Sequence, residues 1–140
     1  MTVKTDSHNF DTLLKQTFPT PLVYEFWPAL AGPSSKVLIV LHGRGDTLEG
    51  FHFMPAKLGL DELNVIFLQA PDAYYNGYSW YDLPPNQAPG VIRSRHLLFA
   101  LLNNLVNVCH IQFQDIFVFG FSQGCLMTLD LALRFGNVLG

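Results

Sequence analysis

The chain has 140 residues, a formal net charge of −3 and no run of Lys or Arg, so nothing in it favours binding to nucleic acid or to an anionic membrane surface. Hydrophobic residues make up 49% of the chain and charged residues only 14%, whereas about 25% charged is typical. This deficit favours the inner part of a larger sheet, or a chain with a large oligomeric or acyl-binding surface. The longest wholly apolar stretch, residues 97–102, is far too short for a transmembrane segment.

The N-terminal 21 residues form a polar lead-in with one short amphipathic piece around Phe10, Leu14 and Phe18, which could cover a sheet edge. They lack the apolar segment of a signal peptide, so we expect a cytoplasmic protein. Cys109 and Cys125 lie apart in apolar surroundings, which predicts two buried free thiols. No His, Cys or Asp cluster has metal-ligand spacing and no nucleotide-binding glycine motif is present, so we expect neither metal nor cofactor.

Residues 22–140 read as one domain in which strands alternate with helices. We predict strands over 22–27, 36–41, 64–69 and 115–119, and helices over 46–58, 91–109 and 125–135, with a long loop over 70–90. The second element resembles a capping box, with Asp46 as the cap and Glu49 reaching back. This alternation predicts a mostly parallel sheet with flanking helices.

The last predicted strand, 115–119, is apolar on both faces, as in a central strand with neighbours on either side. Within this chain alone we expect it to lie at an exposed edge of the sheet. An unpaired apolar edge is a template for association, so we expect this chain to aggregate, to form a homodimer through this edge, or to require the C-terminal part expected beyond residue 140.

The same strand runs into Gly120-Phe-Ser-Gln-Gly124, the pattern of a nucleophile elbow. The turn from strand to helix is too tight for side chains at Gly120 and Gly124, and glycine there lets Ser122 project its hydroxyl at the tip. The apolar strand before it and the helical sequence after it raise this motif above chance. We predict that Ser122 is a nucleophile.

Loops that follow parallel strands meet at the carboxyl edge of a sheet, where ligands bind. His42 and Gly43 begin such a loop, and backbone N–H groups point outward from it unpaired. Acyl transfer needs two donors aimed at the developing oxyanion, and Arg44 and Gln123 supply the natural pair of N–H groups. We expect His42 to fix the loop by hydrogen bonding, with a role as general base as the less favoured alternative. His52 and His96 fall on predicted helices.

In a catalytic triad whose serine lies on a nucleophile elbow, the acid and then the histidine follow the serine along the chain. Only one acidic residue and no histidine follow Ser122 in this sequence. That acid, Asp130, lies two helical turns farther on, and we expect it to be a solvated helix residue. The base and its acid are therefore expected beyond residue 140, in an incomplete domain that ends after the elbow helix.

Four segments together resemble the phospholipase/carboxylesterase family of α/β-hydrolases, which includes acyl-protein thioesterases: 41–47, 70–72, 79–82 and 120–124. The resemblance covers residues 22–136, in the order of the family's N-terminal portion. It implies Ser122 as the catalytic serine, Arg44 and Gln123 as the oxyanion donors, and Trp80 beside the acyl pocket, with core packing as the alternative for Trp80. Arg44 stands where many members carry an apolar residue, which could admit a more polar or anionic substrate.

The resemblance implies hydrolysis of carboxylic esters or thioesters through an acyl-enzyme, without a cofactor. Two alternatives stay open. The chain could be a catalytically incomplete fragment or pseudoenzyme that acts as a binding module. It could also be a member of the same fold related to dienelactone hydrolases or peptidases, although dienelactone hydrolases generally carry Cys at the position of Ser122.

Overall fold

The computed structural model describes residues 20–137 and 139–140. The amphipathic piece predicted around Phe10 and Phe18 lies outside the described residues.

Strands form where the sequence predicts runs of apolar and β-branched residues, and four of them make one sheet. β1 (Tyr24–Trp27), β2 (Val37–Leu41), β3 (Asn64–Leu68) and β6 (Ile116–Gly120) lie in the order β1-β3-β2-β6. β2 pairs in parallel with both β3 and β6, whereas β1 pairs antiparallel with β3. The mostly parallel sheet predicted from the sequence is confirmed, with β1 as its antiparallel edge.

The predicted loop over 70–90 is wrong in its first part, where β4 (Asp72–Tyr74) and β5 (Gly77–Ser79) form an antiparallel ribbon. The connection is Tyr75-Asn76, with Tyr75 at a φ of 49°. The ribbon docks on the loop after β2, because Gly45 N–H donates to Tyr78 O at 2.8 Å and Tyr78 N–H donates to Asp46 O at 2.9 Å.

The capping box predicted at Asp46 and Glu49 is also wrong. Thr47 caps a 3₁₀ turn over Leu48–Phe51, and its hydroxyl accepts from Glu49 N–H. α1 (Met54–Leu58) follows as a separate helix, so the single helix predicted over 46–58 is broken. Pro55 has no N–H to continue a helix from Phe51, but it is tolerated in the first turn of a new one.

α2 (Gln87–Asn107) begins four residues before the predicted position, because Pro89 falls in its first turn, where a missing N–H costs nothing. α3 (Gln123–Arg134) follows β6 directly. Both helices pack on one face of the sheet, whereas α1 and the 3₁₀ turn cover the other. Alternate residues of β2 serve the two faces, as the period of two in a strand requires: Val37, Ile39 and Leu41 face α2 and α3, and Leu38 and Val40 face α1. None of the helices within the described residues is long and apolar enough to cross a membrane.

Strand β6 lies at the edge of the sheet, which confirms the prediction for residues 115–119. Gly140 N–H donates to Ile116 O at 2.9 Å, at one end of this edge. On α3, the neighbouring helix, Leu129 and Leu133 are exposed. Self-association through this edge stays a prediction, which size-exclusion chromatography with light scattering tests: a stable monomer at high concentration would contradict it.

The prediction of two buried thiols holds for Cys109 and is wrong for Cys125, which is exposed. α3 buries Gln123, Met127 and Leu131, which recur every four residues on one side. Cys125 lies two residues from Met127, and two residues turn an α-helix by more than half a circle. Its side chain therefore points away from the core.

Candidate active site

The candidate site lies where β6 turns into α3. Ser122 occupies the cap position before the helix, with φ 53° and ψ −113°. This positive φ is rare for a residue with a side chain and marks local strain of the kind that nucleophile elbows store. The turn predicted from the glycine pattern is therefore present, with Ser122 exposed at its tip.

Gly120 and Gly124 are required because backbone passes where their side chains would be. A Cβ on Gly120 would overlap the carbonyl oxygen of Gly124, and one on Gly124 would overlap the carbonyl oxygen of Leu41. Leu41 pairs with Gly120 in the sheet and also accepts from Phe121 N–H at 3.1 Å. The elbow is thus held tightly against the end of β2.

The loop after β2 lies beside the elbow. A Cβ added to Gly43 would stand 3.2 Å from the Phe121 ring and 3.4 Å from the Phe121 carbonyl oxygen. Within the described residues, the backbone N–H groups of Arg44 and Gln123 donate to no protein acceptor. Two N–H groups without acceptors, on adjoining loops next to a serine hydroxyl, suit the stabilisation of an oxyanion.

His42 fixes this loop from inside, as expected from the sequence. The residue is 1% exposed, its Nδ1–H donates to Gly43 O at 2.7 Å, and its Nε2 accepts from Ala70 N–H at 3.0 Å. Burial lowers the pKa of His42, although the Gly43 hydrogen bond and the Asp46 charge oppose this shift. Both ring nitrogens are occupied and the ring is neutral, so the alternative role of His42 as general base is not supported.

Ser122 opens onto a shallow depression of about 450 Å³ lined by six residues: Arg44, Tyr81, Leu83, Ser122, Gln123 and Leu126. The expected pocket wall, Trp80, is not among them and is 0% exposed. Core packing, the alternative interpretation of Trp80, is therefore what the structure shows, and Tyr81 faces the depression in its place. A larger depression of about 540 Å³ lies elsewhere, against His110, Phe113 and Asn137, and contains no serine or cysteine.

The side chain of Gln123 has a structural role that the sequence did not predict. It is buried, its Oε1 accepts from Trp80 N–H at 2.7 Å, and its Nε2 donates to Tyr81 O at 2.6 Å and to Ser79 Oγ at 3.0 Å. The one local signal is a polar residue in line with the buried side of α3, four residues before Met127.

No base reaches the serine within the described part of the chain, where Ser122 Oγ makes no hydrogen bond to a side chain. The described residues contain one histidine–carboxylate pair, with 2.9 Å between His52 Nε2 and Glu25 Oε2. It packs against Trp27 and Phe67 on the face of the sheet covered by α1.

Asp130 is not the solvated residue expected from the sequence. It accepts two hydrogen bonds from Arg95, at 2.7 and 2.9 Å, and one from Arg134 at 3.1 Å. Hydrogen bonding to Arg95 holds the pKa of Asp130 below its usual range. The carboxylate therefore joins α2 to α3 and is not available to orient a histidine.

The charge at the rim of the depression comes from Arg44. Within the described residues the other three arginines each pair with a carboxylate: Arg93 with Asp72, and Arg95 and Arg134 with Asp130. Arg44 instead lies over the ring of Tyr74, with 4.8 Å from its guanidinium carbon to the ring centroid. Its charge is thus free to act on a ligand.

The described residues contain no group of three His, Cys, Asp or Glu side chains that could hold a metal ion.

The chain is similar to known proteins over most of its length. The sequence profile of the phospholipase/carboxylesterase family matches residues 28–140. An uncharacterized hydrolase of Mycosarcoma maydis is 31% identical over 129 residues, which cover 81% of this chain and 48% of that protein. The acyl-protein thioesterase 1 of Candida albicans is 28% identical over 120 residues, with 73% and 52% covered. The chain thus spans about half the length of the curated relatives it matches.

Among solved structures, a carboxylesterase from Mesorhizobium loti matches with a TM-score of 0.75 at 13% sequence identity. The match covers 87% of this chain and 59% of that one. At this level of identity it shows the fold, which is that of an α/β-hydrolase.

Proposed function

Because the chain belongs to the phospholipase/carboxylesterase family of α/β-hydrolases, we propose that it acts in the hydrolysis of carboxylic esters or thioesters through an acyl-enzyme on Ser122. One observation carries the proposal. A strained serine stands at the carboxyl edge of the sheet, between two loops whose N–H groups, on Arg44 and Gln123, have no protein acceptor among the described residues.

In the proposed reaction, Ser122 Oγ attacks the carbonyl carbon of the substrate and transfers its proton to a base. The carbonyl oxygen becomes an oxyanion, which accepts hydrogen bonds from the N–H groups of Arg44 and Gln123. The C–O or C–S bond then breaks, the leaving alcohol or thiol takes the proton, and water hydrolyses the acyl-enzyme. Each oxyanion donor is worth about 3–4 kcal/mol to a reaction of this type.

The described residues supply no base, since none of their side chains forms a hydrogen bond with Ser122 Oγ. The identity of the base is therefore part of the proposal. As expected from the sequence, we propose that the His–acid pair that activates the serine lies beyond residue 140. Without that base the serine hydroxyl is a weak nucleophile at neutral pH, so only activated esters such as p-nitrophenyl acetate should acylate it, and slowly. Weak activity of the 140-residue chain is thus consistent with the proposal.

The test is release of p-nitrophenolate from p-nitrophenyl acetate by the chain and by Ser122→Ala. We expect slow release above buffer that Ser122→Ala abolishes. Equal rates for the two proteins would contradict the proposal.

The second candidate function is a binding module without turnover, which is favoured by the fact that, within the described residues, no side chain is hydrogen-bonded to Ser122 Oγ. Its signature is an ester analogue that binds in the depression at Ser122 while no p-nitrophenolate is released above the buffer rate.

A further inference from the structure

The two proposed oxyanion donors lie on separate loops, so something must set their relative position. Arg44 follows β2 and Gln123 begins α3. Within the described residues, the two loops are joined directly by the pairing of Leu41 with Gly120, by the hydrogen bond from Phe121 N–H to Leu41 O, and by the close packing of Gly43 and Gly124 between them. Beyond these contacts, both loops touch a third segment, Ser79–Tyr81.

The third segment contacts the first loop through the indole of Trp80. Trp80 Nε1–H donates to His42 O at 2.9 Å, and the two rings lie 5.8 Å apart. His42 in turn bonds Gly43 O, the carbonyl that precedes the Arg44 N–H. The indole is therefore one hydrogen bond away from the peptide chain that presents this donor.

It contacts the elbow through the carboxamide of Gln123. Oε1 accepts from Trp80 N–H, and Nε2 donates to Tyr81 O and to Ser79 Oγ. All of these groups are buried, where hydrogen bonds are strong and unpaired polar groups are costly. Gln123, whose backbone N–H is a proposed oxyanion donor, is thus held in position by the hydrogen bonds of its own side chain.

The segment is also anchored from behind. Ser94 of α2 donates to Trp80 O at 2.6 Å, and Gly90 of the same helix packs so closely that a Cβ there would lie 2.8 Å from Tyr81 Cα. A bridge that is itself fixed to α2 can hold the two loops at a set separation.

We propose that the Trp80 indole and the Gln123 carboxamide are positioning residues that set the two N–H donors, of Arg44 and Gln123, relative to each other. The role of these donors rests on the proposed function, but the geometry of the bridge does not. Changing either side chain removes neither backbone N–H group. A change in oxyanion binding would therefore arise from a shift in the position of these donors.

The test uses the 140-residue chain with Trp80→Phe and Gln123→Met. Trp80→Phe removes the bond to His42 O and keeps an aromatic ring. Gln123→Met keeps length and removes the carboxamide. The matched control is Trp27→Phe, which also loses an indole hydrogen bond, to Glu25 Oε1 at 2.9 Å, but on the opposite face of the sheet.

The first readout needs no ligand. Residual dipolar couplings report the orientations of the Arg44 and Gln123 N–H bonds in each folded variant. We expect both to change in Trp80→Phe and in Gln123→Met, while those of β2 and β3 and all those of Trp27→Phe stay as in the parent chain. Unchanged couplings in both bridge variants would overturn the inference. Ser94→Ala, which loosens the anchor only, serves if either variant fails to fold, and is expected to change the same two couplings.

The second readout uses phenylboronic acid, whose boron takes up Ser122 Oγ and releases a proton to give a tetrahedral anion. Boron NMR measures its affinity. We expect about tenfold weaker binding in the two bridge variants, since a small misplacement of donors can cost as much as 10²-fold, and an unchanged affinity in Trp27→Phe. Failure of the parent chain to form the adduct would contradict the proposed function alone, whereas equal affinities in all variants would contradict the positioning role.

Discussion

The two loops that meet at Ser122 are held in place by different means. The loop of Gly43, Arg44 and Gly45 is tied by hydrogen bonds, through the His42 ring and through the ribbon strand at Tyr78. The elbow, although the Gln123 side chain is also hydrogen-bonded, depends above all on the absence of side chains at Gly120 and Gly124, which lets backbone pack directly on backbone. A loop held by several hydrogen bonds can relax when one bond is lost. At a close-packed glycine, by contrast, an added Cβ overlaps backbone atoms that cannot move aside.

Gly124→Ala disturbs the packing of the elbow and is expected to have the largest effect on the free energy of unfolding. Its Cβ would overlap the Leu41 carbonyl oxygen and lie 2.8 Å from that of His42, and neither backbone group can move without disturbing the sheet. We expect a loss of about 3 kcal/mol or more in the free energy of unfolding, or no folding. Urea unfolding is the measurement.

The control for that variant is Gly136→Ala, just after the same helix. Gly136 has φ 75° and open space around it, so Ala meets only backbone strain, about 1–2 kcal/mol. Equal costs for the two substitutions would show that close packing does not hold the elbow.

His42→Leu removes hydrogen bonds from the loop after β2 and should reduce the free energy of unfolding by less than Gly124→Ala does. It leaves Gly43 O and Ala70 N–H without their partner, which costs about 1–3 kcal/mol for buried groups. The protein should still fold, because the ribbon bonds to Gly45 and Asp46 remain. Urea unfolding at pH 7 measures the loss, and a loss larger than that of Gly124→Ala would reverse the comparison.

The same variant should change how stability depends on pH. Burial lowers the pKa of His42 in the folded chain, so below its ordinary value of 6.5 the unfolded chain binds more protons than the folded one. Stability from this residue is present above pH 6.5 and declines as the pH falls below it. We expect the parent chain to lose more unfolding free energy between pH 7 and pH 5 than His42→Leu does. A steeper decline in the variant would contradict this assignment.

The sequence predicted the elbow better than its surroundings, and the reason is local. Glycine spacing around Ser122, the apolar run before it and the helix after it all lie within about twenty residues. The partners of the Gln123 side chain lie 42 to 44 residues away, at Ser79, Trp80 and Tyr81, and no local pattern records them. The ribbon over 72–79 left only a misplaced signal: Asn-Gly is a common hairpin turn, but the connection is Tyr75-Asn76 and Gly77 already lies in β5.

Arg44→Gln should have the smallest effect, because it alters an exposed side chain and leaves the backbone donor. We compare the p-nitrophenyl esters of butyrate and hemisuccinate, which differ by a carboxylate. A surface charge pair is worth about 1 kcal/mol, so the hemisuccinate-to-butyrate ratio of kcat/KM should fall about fivefold in the variant. An unchanged ratio would show that the Arg44 charge does not act on the substrate.

The most direct test of Ser122 as the nucleophile is to trap the acyl-enzyme. Because no side chain within the described residues is hydrogen-bonded to Ser122 Oγ, activation of water for deacylation should also be slow, so the acetylated chain should accumulate with p-nitrophenyl acetate. Mass spectrometry of the intact chain and of its peptides is the measurement. We expect one acetyl group on Ser122, absent from Ser122→Ala. Acetylation of other residues only, to the same extent in both proteins, would contradict the account.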